Sequence, residues 1–236
     1  MTLKAFWKFG IASACAVGAV TAHAALIPAM GGLVVNDPDL NITWLANANL
    51  AATNTFGVGS IGATGATDGF NVYNWLNAVN AANYLGFNNW RLPSTTDIGG
   101  AGCPLLFTFS GGTCGYNVNP NTSEMAHLFY TELGNSAAFN AAGNPQPGGL
   151  VNSGPFNNIQ TGGSYHSSTV VGNANAEWRF LFRDGSQDSD LRGFNLYTMI
   201  VRDGQVATVP EPATPWIFGA GLLGLLAMAR MRLSAR

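Results

Sequence analysis

The feature that most constrains this 236-residue chain is its tail, Val209-Pro210-Glu211-Pro212-Ala213-Thr214, followed by an apolar run and then Arg230, Arg232 and Arg236. From Ala213 to Ala229 the run is 17 residues and carries no charge. As a helix rising about 1.5 Å per residue it reaches roughly 25 Å, the short end of what crosses a hydrocarbon core. Trp216 lies at one edge, where an amphipathic ring favours the interface, and the arginines lie at the other, where positive charge favours the cytoplasm. This order predicts a single transmembrane helix over about residues 213–229. It fixes a destination and leaves molecular function open.

The opposite end supports export. Lys4 and Lys8 form a basic start, residues 9–20 are apolar over signal-peptide rather than spanning length, and Ala22-His23-Ala24 supplies the small-x-small pattern of signal peptidase. Cleavage is expected after Ala24, so residues 1–24 read as a signal peptide and Cys15 is discarded with them.

Val209-Pro210-Glu211-Pro212, the helix ending Leu222-Leu223-Gly224-Leu225-Leu226-Ala227, and Arg230 with Arg232 together resemble the PEP-CTERM sorting signal of exported bacterial proteins. The resemblance covers residues 206–236. It implies recognition by an exosortase, a membrane-embedded cysteine protease, and cleavage near the Pro-Glu-Pro. Exosortase and signal peptidase are then the processing partners. The chain would be anchored transiently in the inner membrane and passed to the cell surface or the medium.

Without its two ends the chain is acidic. Between Ala25 and Pro212 no lysine remains, and Arg91, Arg179, Arg183, Arg192 and Arg202 face twelve carboxylates, a net charge of −7. Such a body cannot neutralise many phosphates, which argues against nucleic acid and anionic lipid as partners. About 190 residues suit one domain, placed here at residues 25–205. Two cysteines survive processing, Cys103 and Cys114, enclosing a Gly-rich segment. In an oxidising compartment a disulfide is the default, closing a short loop.

Along the body, Leu33-Val34-Val35 and Ile42-Thr43-Trp44-Leu45 flank Asn36-Asp37-Pro38-Asp39 and predict an opening hairpin. Residues 46–65 read as loop. Asp68 caps a helix with Val72, Trp75, Leu76 and Val79 on its apolar face, ending near Gly86. In Trp90-Arg91-Leu92-Pro93 the apolar residues fill a core edge while Arg91 points the other way. Asn121 and Glu124 suggest a capping box for a second helix with Met125, Leu128, Phe129 and Leu133 inward and Gly134 as its stop. Residues 135–163 read as irregular. Three strands follow, at residues 165–171, 177–182 and 193–202, with a turn at Asp184-Gly185 linking the last two. The opening and terminal strands are expected to pair.

A second resemblance covers about residues 33–204. Asn89-Trp90-Arg91-Leu92-Pro93-Ser94, Ser164-Tyr165-His166-Ser167-Ser168, Trp178-Arg179-Phe180 with Asp184-Gly185, and Ile200-Val201-Arg202 look like the Lcl C-terminal-type domain. That resemblance implies a compact α+β, C-type-lectin-like fold with two helices and short antiparallel strands. It also marks Trp90, Arg91, Leu92, Pro93, Trp178 and Arg202 as fold-motif residues. The chain departs from it at His166, where the family usually has Trp.

Catalytic signatures are absent: there is no Gly-x-Ser-x-Gly, His-Glu-x-x-His or phosphate loop. His127 beside the apolar face of the second helix reads as structural, and His166 invites an acidic partner that the sequence does not place. Oxygens at Asp184, Asp188 and Asp190 form the best metal candidate, a calcium loop, but the terminal bidentate glutamate is missing. The expectation is a noncatalytic surface or extracellular-matrix protein without cofactor, with glycan or exopolysaccharide met through exposed Asn, Tyr and Trp groups. The competing class is an enzyme on a scaffold like that of formylglycine-generating enzyme.

Overall fold

Alternation in two short runs builds the centre of the molecule. In the computed structural model, which describes residues 25–97, 103, 107–172 and 175–208, β2 (Val34–Asp37) and β3 (Ile42–Leu45) pair antiparallel as the expected hairpin. The turn is tied by the Leu40 N–H, which donates to Asp37 Oδ1 at 3.1 Å. β1 (Ile27–Ala29) pairs with β2, and β7 (Val201–Asp203) pairs with β3, giving the order β1-β2-β3-β7. The first and last parts of the body therefore meet in one sheet. β1 was not foreseen, because three residues containing Pro28 carry too little pattern to read.

Every residue of β2 and β3 is buried, so both faces of this sheet are covered. Successive side chains point to opposite faces. Val35, Ile42, Trp44 and Val201 join one core, and Val34, Leu45 and Ile200 join the other. A helix closes each.

On one side lies α1 (Val72–Ala81), whose Val72, Trp75, Leu76 and Val79 are buried as their spacing requires. Asp68 starts it: Oδ1 accepts from the N–H groups of Phe70 and Asn71, both at 2.9 Å. Burial pushes the Asp68 carboxyl up, but hydrogen bonds from the Asn71 side chain and the two N–H groups outweigh it and hold the carboxyl below its ordinary 3.8. A cap of this kind contributes about 1 kcal/mol. With the folded pKa depressed, that contribution is present above the unfolded value and lost as pH falls through the folded one.

On the other side, Met125, Leu128, Phe129 and Leu133 are buried as expected, but the helix differs in two ways. Its cap is Ser123, whose hydroxyl accepts from the Ala126 N–H, rather than Asn121. Glu124 lies one residue past the cap, and its carboxylate leaves the helix for Arg91 instead of closing a capping box. After one α-helical stretch, α2 (Glu124–Ala126), the chain widens into a π-helix over His127–Glu132, with the Leu133 N–H reaching the Leu128 carbonyl five residues back.

A second sheet, β4-β5-β6, comprises Tyr165–Val171, Ala176–Leu181 and Ser186–Leu191. The turn at Asp184-Gly185 is present, but it leads into β6 rather than into residues 193–202. Of that expected strand only Val201 and Arg202 pair as strand residues, and they do so in the first sheet. The fold is thus α+β with two helices and antiparallel sheets. Among the described residues no helix is long and apolar enough to cross a membrane. The expected signal peptide, the residues Val209 to Pro212, the span at 213–229 and Arg230, Arg232 and Arg236 lie outside the described residues.

Candidate functional site

The Trp90-Arg91-Leu92-Pro93 stretch is a junction. Trp90 and Leu92 are 2% and 1% exposed, in the core under α1, and Pro93 is also buried. Arg91 points away, as alternation requires, and binds two elements at once. Its guanidinium donates to both oxygens of Glu124 at 2.8 and 2.7 Å and to Asp203 Oδ1 at 2.7 Å, while the Ser94 N–H caps Glu124 Oε2 at 2.7 Å. The two-pronged bond to Glu124, with Asp203 beside it, raises the Arg91 pKa and keeps the group charged. Arg202 closes the same end of the molecule, stacked 4.3 Å over the Phe87 ring and donating to Asn89 Oδ1.

His166 finds the acid that the sequence left unplaced. Its Nδ1 lies 2.5 Å from Glu177 Oε1 and its Nε2 lies 2.8 Å from the Thr67 carbonyl, with both side chains fully buried. A carbonyl oxygen only accepts, so Nε2 carries a proton. Arg192 approaches the other carboxylate oxygen at 3.6 Å and stacks over Phe70 at 4.5 Å. Gly69 backs the group: a Cβ there would stand 2.4 Å from Glu177 Oε2. His166 therefore belongs to a buried ion network.

The calcium candidate takes a different form. Asp188 and Asp190 lie on β6 and both bind Arg179 of β5, at 2.5 and 2.6 Å, while Asp184 accepts from the Ser186 hydroxyl and N–H in the turn. The alternation that suggested a metal loop is strand alternation, and a guanidinium occupies the place between the carboxylates.

Cys103 and Cys114 form the expected disulfide, packed with Val171 on fully buried Trp178. The two cysteines are 11 positions apart in sequence, for which loop entropy gives about 3 kcal/mol of stabilisation. A Cys103→Ser, Cys114→Ser double variant is expected to lose about 2–3 kcal/mol in urea denaturation. The parent should lose the same amount on reduction. A variant as stable as the parent would show that the bridge constrains nothing.

Phe107 and Phe109 of this loop form an aromatic cluster with Tyr116 and Phe139, with Phe109 and Tyr116 stacked at 5.5 Å and Phe107 and Phe109 exposed. By contrast Trp44, Trp75, Trp90 and Trp178 are all buried. The expectation that tryptophans meet a ligand at the surface is corrected for these four, which are core residues. Among the described residues the exposed rings are phenylalanines.

One group was missed altogether. Asp37, His127 and Glu132 bring one ligand atom each to within 4.8 Å of one another. Asp37 is fully buried, and the His127 and Glu132 side chains are 8% and 2% exposed. His127 Nε2 lies 3.2 Å from Glu132 Oε1. Burial, and after it the charge of Asp37, pushes the Glu132 carboxyl up. On an α-helix, residues five apart stand about 140° apart, so this pair gives no helical-face signal. The π-turn brings them together.

A family model described as the PEP-CTERM protein-sorting motif matches residues 208–232, taking in Val209 to Pro212, Arg230 and Arg232 but not Arg236. The motif implies an exported protein that is processed at the membrane by an exosortase. No curated protein and no solved structure gives a significant match to the chain.

Proposed function

We propose that the chain is a noncatalytic surface or extracellular-matrix protein, released at its tail by exosortase, whose lectin-like body binds glycan or exopolysaccharide. The observation that carries the reading is the sorting motif over residues 208–232, which implies export and exosortase processing at the membrane. The surface we assign to a sugar is the cluster around Phe107 and Phe109, since exposed ring faces stack on the C–H faces of pyranoses. The lectin-like assignment of the body rests on the resemblance carried by Trp90, Arg91, Leu92, Pro93, Trp178 and Arg202. The noncatalytic reading is supported by the cysteines being bonded to each other and 1% and 2% exposed.

The test is intact mass from an exosortase-positive host and its exosortase-null counterpart. The expected product, in the positive host only, lacks residues 1–24 and the segment beyond the Pro-Glu-Pro. A full C-terminal segment in both hosts would make the tail a permanent anchor and end the sorting reading. The ligand is tested separately by retention of the processed protein on host exopolysaccharide, with Phe107→Ala and Phe109→Ala expected to weaken it.

A further inference from the structure

The Asp37–His127–Glu132 group sits where the tight turn of the first sheet meets the π-helix. We propose that it is a binding site for a divalent transition metal of the Zn2+ class, with Asp37, His127 Nε2 and Glu132 as ligands. The metal would tie the hairpin turn to the second helix.

Charge balance is the first reason. The site holds one imidazole and two carboxylates where Asp37 is fully buried and the Glu132 side chain nearly so. Burying two carboxylates with no cation to answer them is costly. A neutral imidazole, two carboxylates and a dication sum to zero.

Geometry is the second reason. His127 and Glu132 face each other only because the helix runs as a π-turn, a rare form that recurs at functional sites. Their ligand atoms, 3.2 Å apart, already match the spacing of roughly 3.3 Å between neighbours in a tetrahedral zinc site with bonds of about 2.0–2.1 Å. Asp37 closes the remaining distance from no more than 4.8 Å. Its carboxylate is oriented from behind, Oδ1 by the Leu40 N–H and Oδ2 by Trp44 Nε1, both at 3.1 Å, which is how outer partners hold metal-binding carboxylates. One nitrogen and two carboxylate donors suit zinc better than calcium, which takes oxygen alone.

The experiment uses the full chain, extracted in detergent from its host and stripped with a chelator. Titration with Zn2+ against a chromophoric competitor is expected to show one equivalent bound, and the melting temperature should rise with free Zn2+. Glu132→Gln keeps the shape of the site and is expected to weaken binding more than the roughly 10–100-fold that loss of an outer partner costs. Co2+ loading gives a second readout, a visible d–d spectrum that changes in His127→Gln. The site would be overturned by no stoichiometric uptake in chelator-stripped protein whose circular dichroism is native. It would equally be overturned by unchanged affinity in Glu132→Gln, or by a Co2+ spectrum indifferent to His127.

Discussion

Replacing Glu177 by Ala is expected to destabilise the folded body by about 3–5 kcal/mol, the cost of breaking a buried ion network by removing one partner. Glu177 is 1% exposed and answers both His166 and Arg192. Without it, His166 Nδ1 faces an empty space while Nε2 stays held by the Thr67 carbonyl, and Arg192 keeps its charge beside Gly69. Glu177→Gln retains a hydrogen-bonding oxygen and should cost less, because only the charge is lost. Asp188→Asn, in the partly exposed pair with Arg179, is the comparison and should cost less, about 1 kcal/mol. Urea denaturation of the three variants tests the ranking. If Glu177→Ala unfolds no more easily than Asp188→Asn, the network is not a buried charge system.

Trp44→Ala should cost about as much, roughly 3–5 kcal/mol, through the cavity it leaves. Trp44 is fully buried in the core between the first sheet and the second helix, edge-on to Phe156 with centroids 6.3 Å apart. It also donates from Nε1 to Asp37 Oδ2. Trp44→Phe separates the two contributions. It keeps most of the ring and removes the donor, so a loss of about 1–3 kcal/mol is expected from the buried carboxylate left short of a partner. Chemical denaturation reads both variants, and an alanine variant no worse than the phenylalanine variant would mean that the core collapses into the space.

Much of this fold was legible because burial repeats with a period. The hairpin, the inward faces of both helices and the strand Tyr165–Val171 all follow from apolar spacing, and the structure keeps them. The errors share a cause. Ser186–Leu191 is polar at nearly every position, so it reads as a metal loop or a turn, although Arg179 on the neighbouring strand neutralises its carboxylates. Residues 193–202 are rich in apolar and aromatic groups but are buried by separate neighbours, with Leu196 bridged to Thr67 and Tyr197 to Tyr165. Pairing between distant strands is not written in either strand alone. The same holds for His166 and Glu177, which stand on adjacent strands, offset rather than paired, and meet only through the β4–β5 register. The His127 and Glu132 pair was hidden for a different reason, since a search at α-helical spacing passes over it.

The pairing of β7 with β3 has a consequence for how such a chain is made. Thr43 lies opposite Arg202 in the sheet, so residues 159 apart in sequence are neighbours. A polypeptide that crosses a membrane amino end first delivers the hairpin early and the closing strand almost last. Until Val201–Asp203 emerges, one edge of β3 stays open and the cores on both faces lack Ile200 and Val201. Only about ten residues then separate Asp203 from the start of the apolar run at Ala213, a reach of roughly 33 Å when fully extended. The strand that completes the sheet and the sorting motif are thus delivered almost together, since only a few residues lie between them.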